Sequence, residues 1–334
     1  LAHRILSRLL QAIPTLLGVA VIVFVLVRVV PGNPIAMMTP PGATAADVER
    51  LKALYGLDKG IVEQFAIWAG HVLAGDFGTS ISLRQGVLGV VLSRLPATLE
   101  LALLATVVAV LIGTALAVVA TRYRGRWPEA AIDGGAGLAQ SVPDFLWALG
   151  FILGLGVLVP VLPISGRSNP SIAIDYATRF HLIESLLRLD GRTFRDLLAH
   201  AVLPALALAL PFAAILARVL KASLVEELAQ DYVLLARVKG FSEWRVIARE
   251  ALRNAAIPAV NLTGVQFTFL IGGTVLIEKI FSYSGVGNLA IDAVINRDLP
   301  LIQGLVLMFA VLFNIVNLAL DLVTLWLNPK LRHG

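Results

Sequence analysis

Apolar residues in this chain do not alternate with polar ones but gather in long blocks. The blocks are Leu9–Val30, Leu101–Thr121, Phe145–Ser165, Leu197–Ala217, Ala256–Ile277 and Leu299–Leu320, each 21 or 22 residues long. Five carry no charge, and the first carries only Arg28 near its end. About 20 apolar residues in a helix cross the hydrocarbon core of a bilayer. A helix is the single-segment structure that satisfies its own backbone there. The pattern therefore predicts six transmembrane helices and an all-α integral membrane fold. Pro14, Pro160, Pro204, Pro211 and Pro258 fall inside the blocks, and membrane helices tolerate them because neighbours re-satisfy the freed carbonyls. The first block is longer than a signal-peptide core and no A-x-A-like site follows it, so it reads as a retained helix. The chain starts at Leu1 rather than Met, and native residues are expected to precede it.

The polar stretches set orientation and domains. Lys and Arg collect at Arg4 and Arg8, at Arg122, Arg124 and Arg126, between Arg218 and Arg253, and at Lys330 and Arg332. With six crossings these lie on one side, and the excess of Lys and Arg in short loops marks it as cytoplasmic. Both termini are then cytoplasmic. Residues 1–30 form the N-terminal end and first helix. Residues 31–95 form an extracytoplasmic helical segment opened by Pro31-Gly32-Asn33-Pro34. Helices are expected there over 45–55 and 63–74, stopped at Gly56 and Gly75. Residues 96–327 form the core domain, and 328–334 a cytoplasmic tail. Within the core, 166–196 is a second outer segment whose Arg179–Leu189 reads as a short interfacial helix. The cytoplasmic segment 222–255 reads as two helices. Glu226–Lys239 ends at Gly240, with Arg237 and Lys239 suiting the helix dipole. A second helix follows Ser242 as N-cap and runs to about Arg253. Amphipathic spacing alone leaves open whether this pair meets a partner or is a solvated loop.

Composition narrows the chemistry. Of 334 residues, 58% are apolar and 15% charged, and mean hydropathy is +0.85. Soluble domains carry about a quarter charged residues. The net charge of +5 is explained by cytoplasmic loop arginines and lysines and needs no nucleic acid. Zero cysteines exclude disulfides, iron–sulfur clusters and thiolate zinc sites. The five histidines show no paired metal-ligand spacing. No G-x-x-x-x-G-K-[ST] occurs, so the chain is expected not to hydrolyse ATP itself. Gly285-Val286-Gly287-Asn288-Leu289-Ala290 matches G-x-G-x-x-A, but it follows a membrane helix rather than a strand, which argues against a dinucleotide site. Glu100, Asp144, Glu278 and Asp321 lie at or near block ends, where anchoring a helix end is the simpler reading than proton relay.

The cytoplasmic segment carries a family resemblance. Asp231-Tyr232-Val233-Leu234-Leu235-Ala236-Arg237-Val238-Lys239-Gly240, followed by Arg253-Asn254-Ala255-Ala256-Ile257-Pro258, resembles the "EAA" loop of bacterial ABC importer permeases, in the version of the peptide, nickel and glutathione branch. Arg28 to Pro34, Leu54 to Asp58, Gly75 to Ser80, Arg94 to Leu99, Arg297 to Pro300 and Asn317 to Leu322 resemble further stretches of the same family, so the likeness covers nearly the whole chain. The chain departs from the pattern where the EAA triplet reads Leu234-Leu235-Ala236, and at Asn33 and Asn328.

The resemblance implies a type I importer permease in the bacterial inner membrane, a non-enzymatic subunit carrying di- or oligopeptides. It implies a loop that couples to cytoplasmic ATPases through Asp231, Tyr232, Leu235, Ala236, Arg237, Lys239, Gly240, Phe241 and Glu243, with Ala236 small enough to admit the ATPase. The implied partners are a second, similar permease, two ATPases and an extracytoplasmic substrate-binding protein. ATP and magnesium belong to the ATPases, so no cofactor is expected in this chain. In such systems the external protein usually chooses among dipeptide, oligopeptide, glutathione or chelated nickel cargo. The rival reading is a stand-alone secondary transporter, which midplane ionisable pairs, broken helices or inverted repeats would have signalled.

Overall fold

The computed structural model describes residues 2–29 and 59–327, with residues 44, 46 and 49 between them. Among these the protein is helical, with one isolated antiparallel bridge, Thr79 to Gly86. Of the expected helix over 45–55 only residues 46 and 49 are described, both helical, and the motifs at Pro31, Leu54 and Asn328 lie outside the described residues. By the density of its contacts the chain divides into two units, Pro96–Asn288 and Leu1–Leu95 with Leu289–Gly334.

In the discontinuous unit, α1 (Ala2–Val29) packs against α2 (Ile61–Leu73) and α12 (Leu299–Leu327). Phe24 of α1 is buried against Phe65 and Trp68 of α2, with ring centroids 5.1 and 5.5 Å away. The Phe24–Phe65 pair meets edge to face, a geometry that adds to the area these rings remove from solvent. The turn before α3 (Val87–Arg122) is tied to the start of α12 by Asp298. Its buried carboxylate accepts from Ser80 Oγ at 2.6 Å, Ser82 Oγ at 2.7 Å and the Ser82 N–H at 2.9 Å. Burial works to raise the Asp298 pKa, but these hydrogen bonds outweigh it and hold the carboxyl below its usual value.

The continuous unit is built round α7 (Gly191–Glu227), which packs against α4 (Trp127–Ser141), α5 (Asp144–Phe151), α6 (His181–Leu187) and α10 (Leu252–Ile280). Its buried face is dense in alanine, from Ala201 through Ala217. Small side chains let helix backbones approach, which is how helices associate where lipid removes the hydrophobic drive. Pro204 and Pro211 sit inside α7 and Pro258 inside α10.

Among the described residues, four helices are long and apolar enough to cross a membrane: α3 (Val87–Arg122), α7, the run Glu243–Ile280, and α12 over Leu299–Leu320. The third predicted span is corrected. Phe145–Ser165 is not one straight helix, because α5 continues only as a wide π-helical stretch to Leu158, and Pro160 and Pro163 follow. α4 and the Asp144–Leu158 segment instead form a pair bent by 103°, which counts as a fifth span if taken as one. In α1 the apolar stretch is Leu10–Leu26.

Candidate coupling loop

The loop lies between the C-terminus of α7 and the N-terminus of α10. The expected single helix Glu226–Lys239 is broken. α7 stops at Glu227, Gln230 is extended, and α8 (Asp231–Val238) begins afresh with Asp231 in its first turn and Arg237 in its last. That charge order suits the helix dipole. α8 closes as predicted at Gly240, whose φ of +79° places it in the left-handed region. The Phe241 N–H reaches the Ala236 carbonyl at 3.3 Å and the Gly240 N–H reaches Arg237 at 2.9 Å. Those two bonds define a Schellman cap, where glycine avoids the penalty a Cβ would bring. The chain restarts at Ser242, which is extended but makes no side-chain cap. The second helix is likewise no separate element. α9 (Glu243–Arg245) passes through a π-helical stretch, Val246–Ala251, directly into α10.

Burial separates the predicted residues into two groups. Val233 and Ala236, three apart and so on one face, belong with Val246, Ile247 and Ala251 to the core of the unit. Ala236 is only 7% exposed, and its small side chain packs within this chain. Asp231, Tyr232, Leu235, Arg237, Lys239 and Glu243 are exposed, and Phe241 is half-buried. The residues that the family likeness did not single out are Leu234 and Val238. With Leu235 they form an open apolar face, at 60%, 77% and 53% exposure.

Short polar links fix the loop's shape. Arg237 Nε donates to Glu243 Oε1 at 3.0 Å across the turn. The Arg245 guanidinium stands 3.8 Å from the centroid of the Phe241 ring. Tyr232 Oη donates to Glu227 at 2.5 Å, and partial burial, with that carboxylate beside it, raises the phenol's pKa.

At the other end of α10 the structure explains the G-x-G-x-x-A pattern. Glu278 is fully buried, and the Thr98 hydroxyl donates to it at 2.6 Å while the Asn288 N–H donates at 3.0 Å. Thr98 Oγ1 in turn accepts from the Val286 N–H at 2.8 Å. The carboxylate thus sits over the first turn of α11 (Val286–Ile295), where unpaired N–H groups favour an anion. A Cβ at Gly285 would collide with that carboxylate, and one at Gly287 would lie 2.5 Å from Val275 Cα. The glycines make room for the chain's own acid rather than for a phosphate.

Glu100 also anchors. It accepts from Arg167 Nη2 at 2.7 Å and from the N–H groups of Leu182 and Ile183 at 2.8 and 3.0 Å. Nearby, hydrogen bonds from Thr178, then Ala177 and Arg188, hold Glu184 down to about 2. Burial, with Arg167 and Arg179, pushes His181 down to about 4. Asp144 accepts from the Phe145 N–H at 2.8 Å at the start of α5. The Asp321 side chain lies outside the described residues. Among the described residues no group of three His, Asp or Glu side chains is placed to hold a metal.

Comparison with known proteins assigns the chain. Residues 109–333 match the family described as the binding-protein-dependent transport system inner membrane component, and residues 1–102 match its N-terminal companion. The di/tripeptide transport system permease protein DppB of Pseudomonas aeruginosa is 36% identical, with 98% of each chain covered. The glutathione transport system permease protein GsiC of Salmonella typhimurium and the dipeptide transport system permease protein DppB of Escherichia coli are also 36% identical over 98% of each chain. Among solved structures, a chain of the inward-facing MetNI methionine ABC transporter superposes with a TM-score of 0.51 at 15% identity, covering 70% of this chain and 93% of that one. That likeness is one of fold, the type I ABC importer permease fold. The chain therefore belongs to the inner-membrane components of binding-protein-dependent transport systems, the permeases of ABC importers.

Proposed function

We propose that this permease forms half of a peptide translocation path, beside a second, similar permease, and that α8 carries the drive from cytoplasmic ATPases. The observation that carries the reading is the open face of Leu234, Leu235 and Val238 on a helix otherwise fixed to the core. Three large apolar side chains on one short helix outside a membrane span suit an apolar groove on a partner. The anchored inner face, through Val233 and Ala236, makes α8 a rigid lever rather than a floppy tail. ATP binding and release by the partner would move that lever, and α10, continuous with the loop, would pass the motion to the bundle by alternating access. Di- or oligopeptide cargo rests on the names of the relatives, one of which handles glutathione. Both termini are cytoplasmic in this reading, with six crossings, and an extracytoplasmic binding protein delivers the cargo. ATP and magnesium sit on the ATPases and no cofactor on this chain.

The test is purification of the tagged chain from its native membrane with identification of what accompanies it. A P-loop ATPase and a second permease are expected. Gly240→Val, which forces a β-branched residue to positive φ, should reduce ATPase retention at least tenfold. Recovery of the chain alone, transporting in vesicles on an ion gradient without ATP, would replace this reading with the secondary transporter.

A further inference from the structure

A second feature of the same end of the unit needs no ATPase. Beside the loop lies a pocket of about 320 Å³, walled by Arg122, Arg124, Arg237 and Glu243 and floored by Leu228 and Ile247. Three arginines and one glutamate line it. Arg237 is already paired with Glu243, half in solvent. Arg122 stands 5.6 Å from the Tyr123 ring centroid, but its Nε is buried without a hydrogen-bond partner. Buried guanidinium nitrogens are costly to leave unmade.

The depth of the pocket is marked by sequence and by rings. Arg122 is the first charge after the uncharged run Leu101–Thr121 and the last residue of α3, so it stands where hydrocarbon gives way to headgroups. Tyr123 and Trp244 meet edge to face at 6.3 Å, and Trp127 is 81% exposed. Tyr and Trp concentrate at that level of a membrane. The simpler account, that these arginines only obey the inside-positive rule and the dipole of α3, explains their charge. It leaves the pocket and the unpaired buried Nε without a reason.

We infer that this pocket, formed by Arg122, Arg124 and Arg237 at the end of α3, binds a phosphate-bearing anion, with the headgroup of an anionic phospholipid as its natural source. Basic pockets between membrane helices suit such headgroups. A phosphate oxygen accepts from Arg122 Nε, and the apolar floor takes the glycerol and upper chain. Because Arg237 borders the pocket, the bound phosphate competes with Glu243 for it. Occupancy therefore loosens the bond that closes the α8–α9 turn, and the lipid tunes the loop.

Native mass spectrometry of the full chain, purified with its accompanying subunits, tests this with three probes: phosphatidylglycerol, phosphatidylethanolamine and inorganic phosphate. Phosphatidylglycerol should be retained over phosphatidylethanolamine. Arg122→Gln and Arg124→Gln should each weaken retention about fivefold, the factor that one basic residue near a membrane surface supplies. Arg122→Lys keeps the charge and should lose less. Glu243→Gln removes the competitor and should strengthen retention, a gain that misfolding cannot mimic. Arg192→Gln, distant in sequence, controls for general charge. Displacement of the lipid by millimolar inorganic phosphate would keep the site but name a soluble phosphate as its occupant. Equal retention of the two lipids with no phosphate binding would overturn the proposal. So would an Arg122→Gln, Arg124→Gln chain that behaves like Arg192→Gln. Loss of the ATPase from that double variant, with no lipid preference in the parent, would give the pocket to an acidic partner side chain and overturn it too.

Discussion

The two ends of α10 hold their acids in opposite ways. At its C-terminus Glu278 is fully buried, and side-chain and backbone donors from α3 and α11 meet it. Beyond its N-terminus, where α9 runs into it through the π-helical stretch, Glu243 stands half exposed with one flexible arginine across a turn. A buried charge that lost its donors would carry a desolvation cost with nothing to offset it, so the Glu278 junction has one low-energy arrangement. The Glu243 pair is solvated whether made or broken, so it can open at little cost. One continuous helical run thus joins a fixed joint to an adjustable one, which suits the lever role proposed above.

The fixed end should break hardest where a charge is stranded. Arg167→Ala leaves Glu100 buried with its counter-charge gone, although the Leu182 and Ile183 N–H groups still reach it. Breaking one member of a buried pair costs about 3–5 kcal/mol. Thermal or denaturant unfolding of the purified chain in detergent should show that loss. Arg167→Ala together with Glu100→Gln should recover much of it. An unchanged midpoint for Arg167→Ala would mean the pair is not a structural link.

Glu278→Ala should come next. It strands the Thr98 hydroxyl and the Asn288 N–H rather than a charge, at about 2–3 kcal/mol for the two donors. Gly285→Ala tests the same junction from the other side, since its methyl would push into the carboxylate. Overpacking of that kind costs about 1–3 kcal/mol. If Gly285→Ala is neutral while Glu278→Ala is severe, the glycine serves the turn alone and not the acid.

These pairings mark the limit of what the chain reveals in one dimension. The long spans of α3, α7, α10 and α12 were legible because apolar length is a local property. The stop at Gly240 was legible because a left-handed cap has a local residue signature. The bend after α4 was not, since an uninterrupted apolar run such as Phe145–Leu158 reads the same in a straight helix and in a π-distorted one. Nor were the partners of the acids. Thr98 and Glu278 are 180 residues apart, Glu100 and Arg167 67, and Ser80 and Asp298 218. No helical period links positions at such separations. The family likeness drew attention to Ala236 as small enough to admit an ATPase, and it did not single out the open apolar face that Leu234 and Val238 form with Leu235.

The adjustable end should respond least in stability and most in sensitivity to ions. Arg237→Gln removes a pair whose members are 39% and 45% exposed, and such pairs contribute under about 1 kcal/mol. Unfolding of the variant should therefore stay within that margin of the parent. Salt shortens the reach of exposed charges to about 8 Å at physiological strength and about 3 Å at 1 M. The small difference between parent and Arg237→Gln should accordingly shrink as salt rises, while the deficit of Arg167→Ala, screened far less because its pair is buried, persists. If the Arg237→Gln deficit proves large and indifferent to salt, the turn is held as firmly as the Glu278 junction, and the contrast between the two ends of α10 fails.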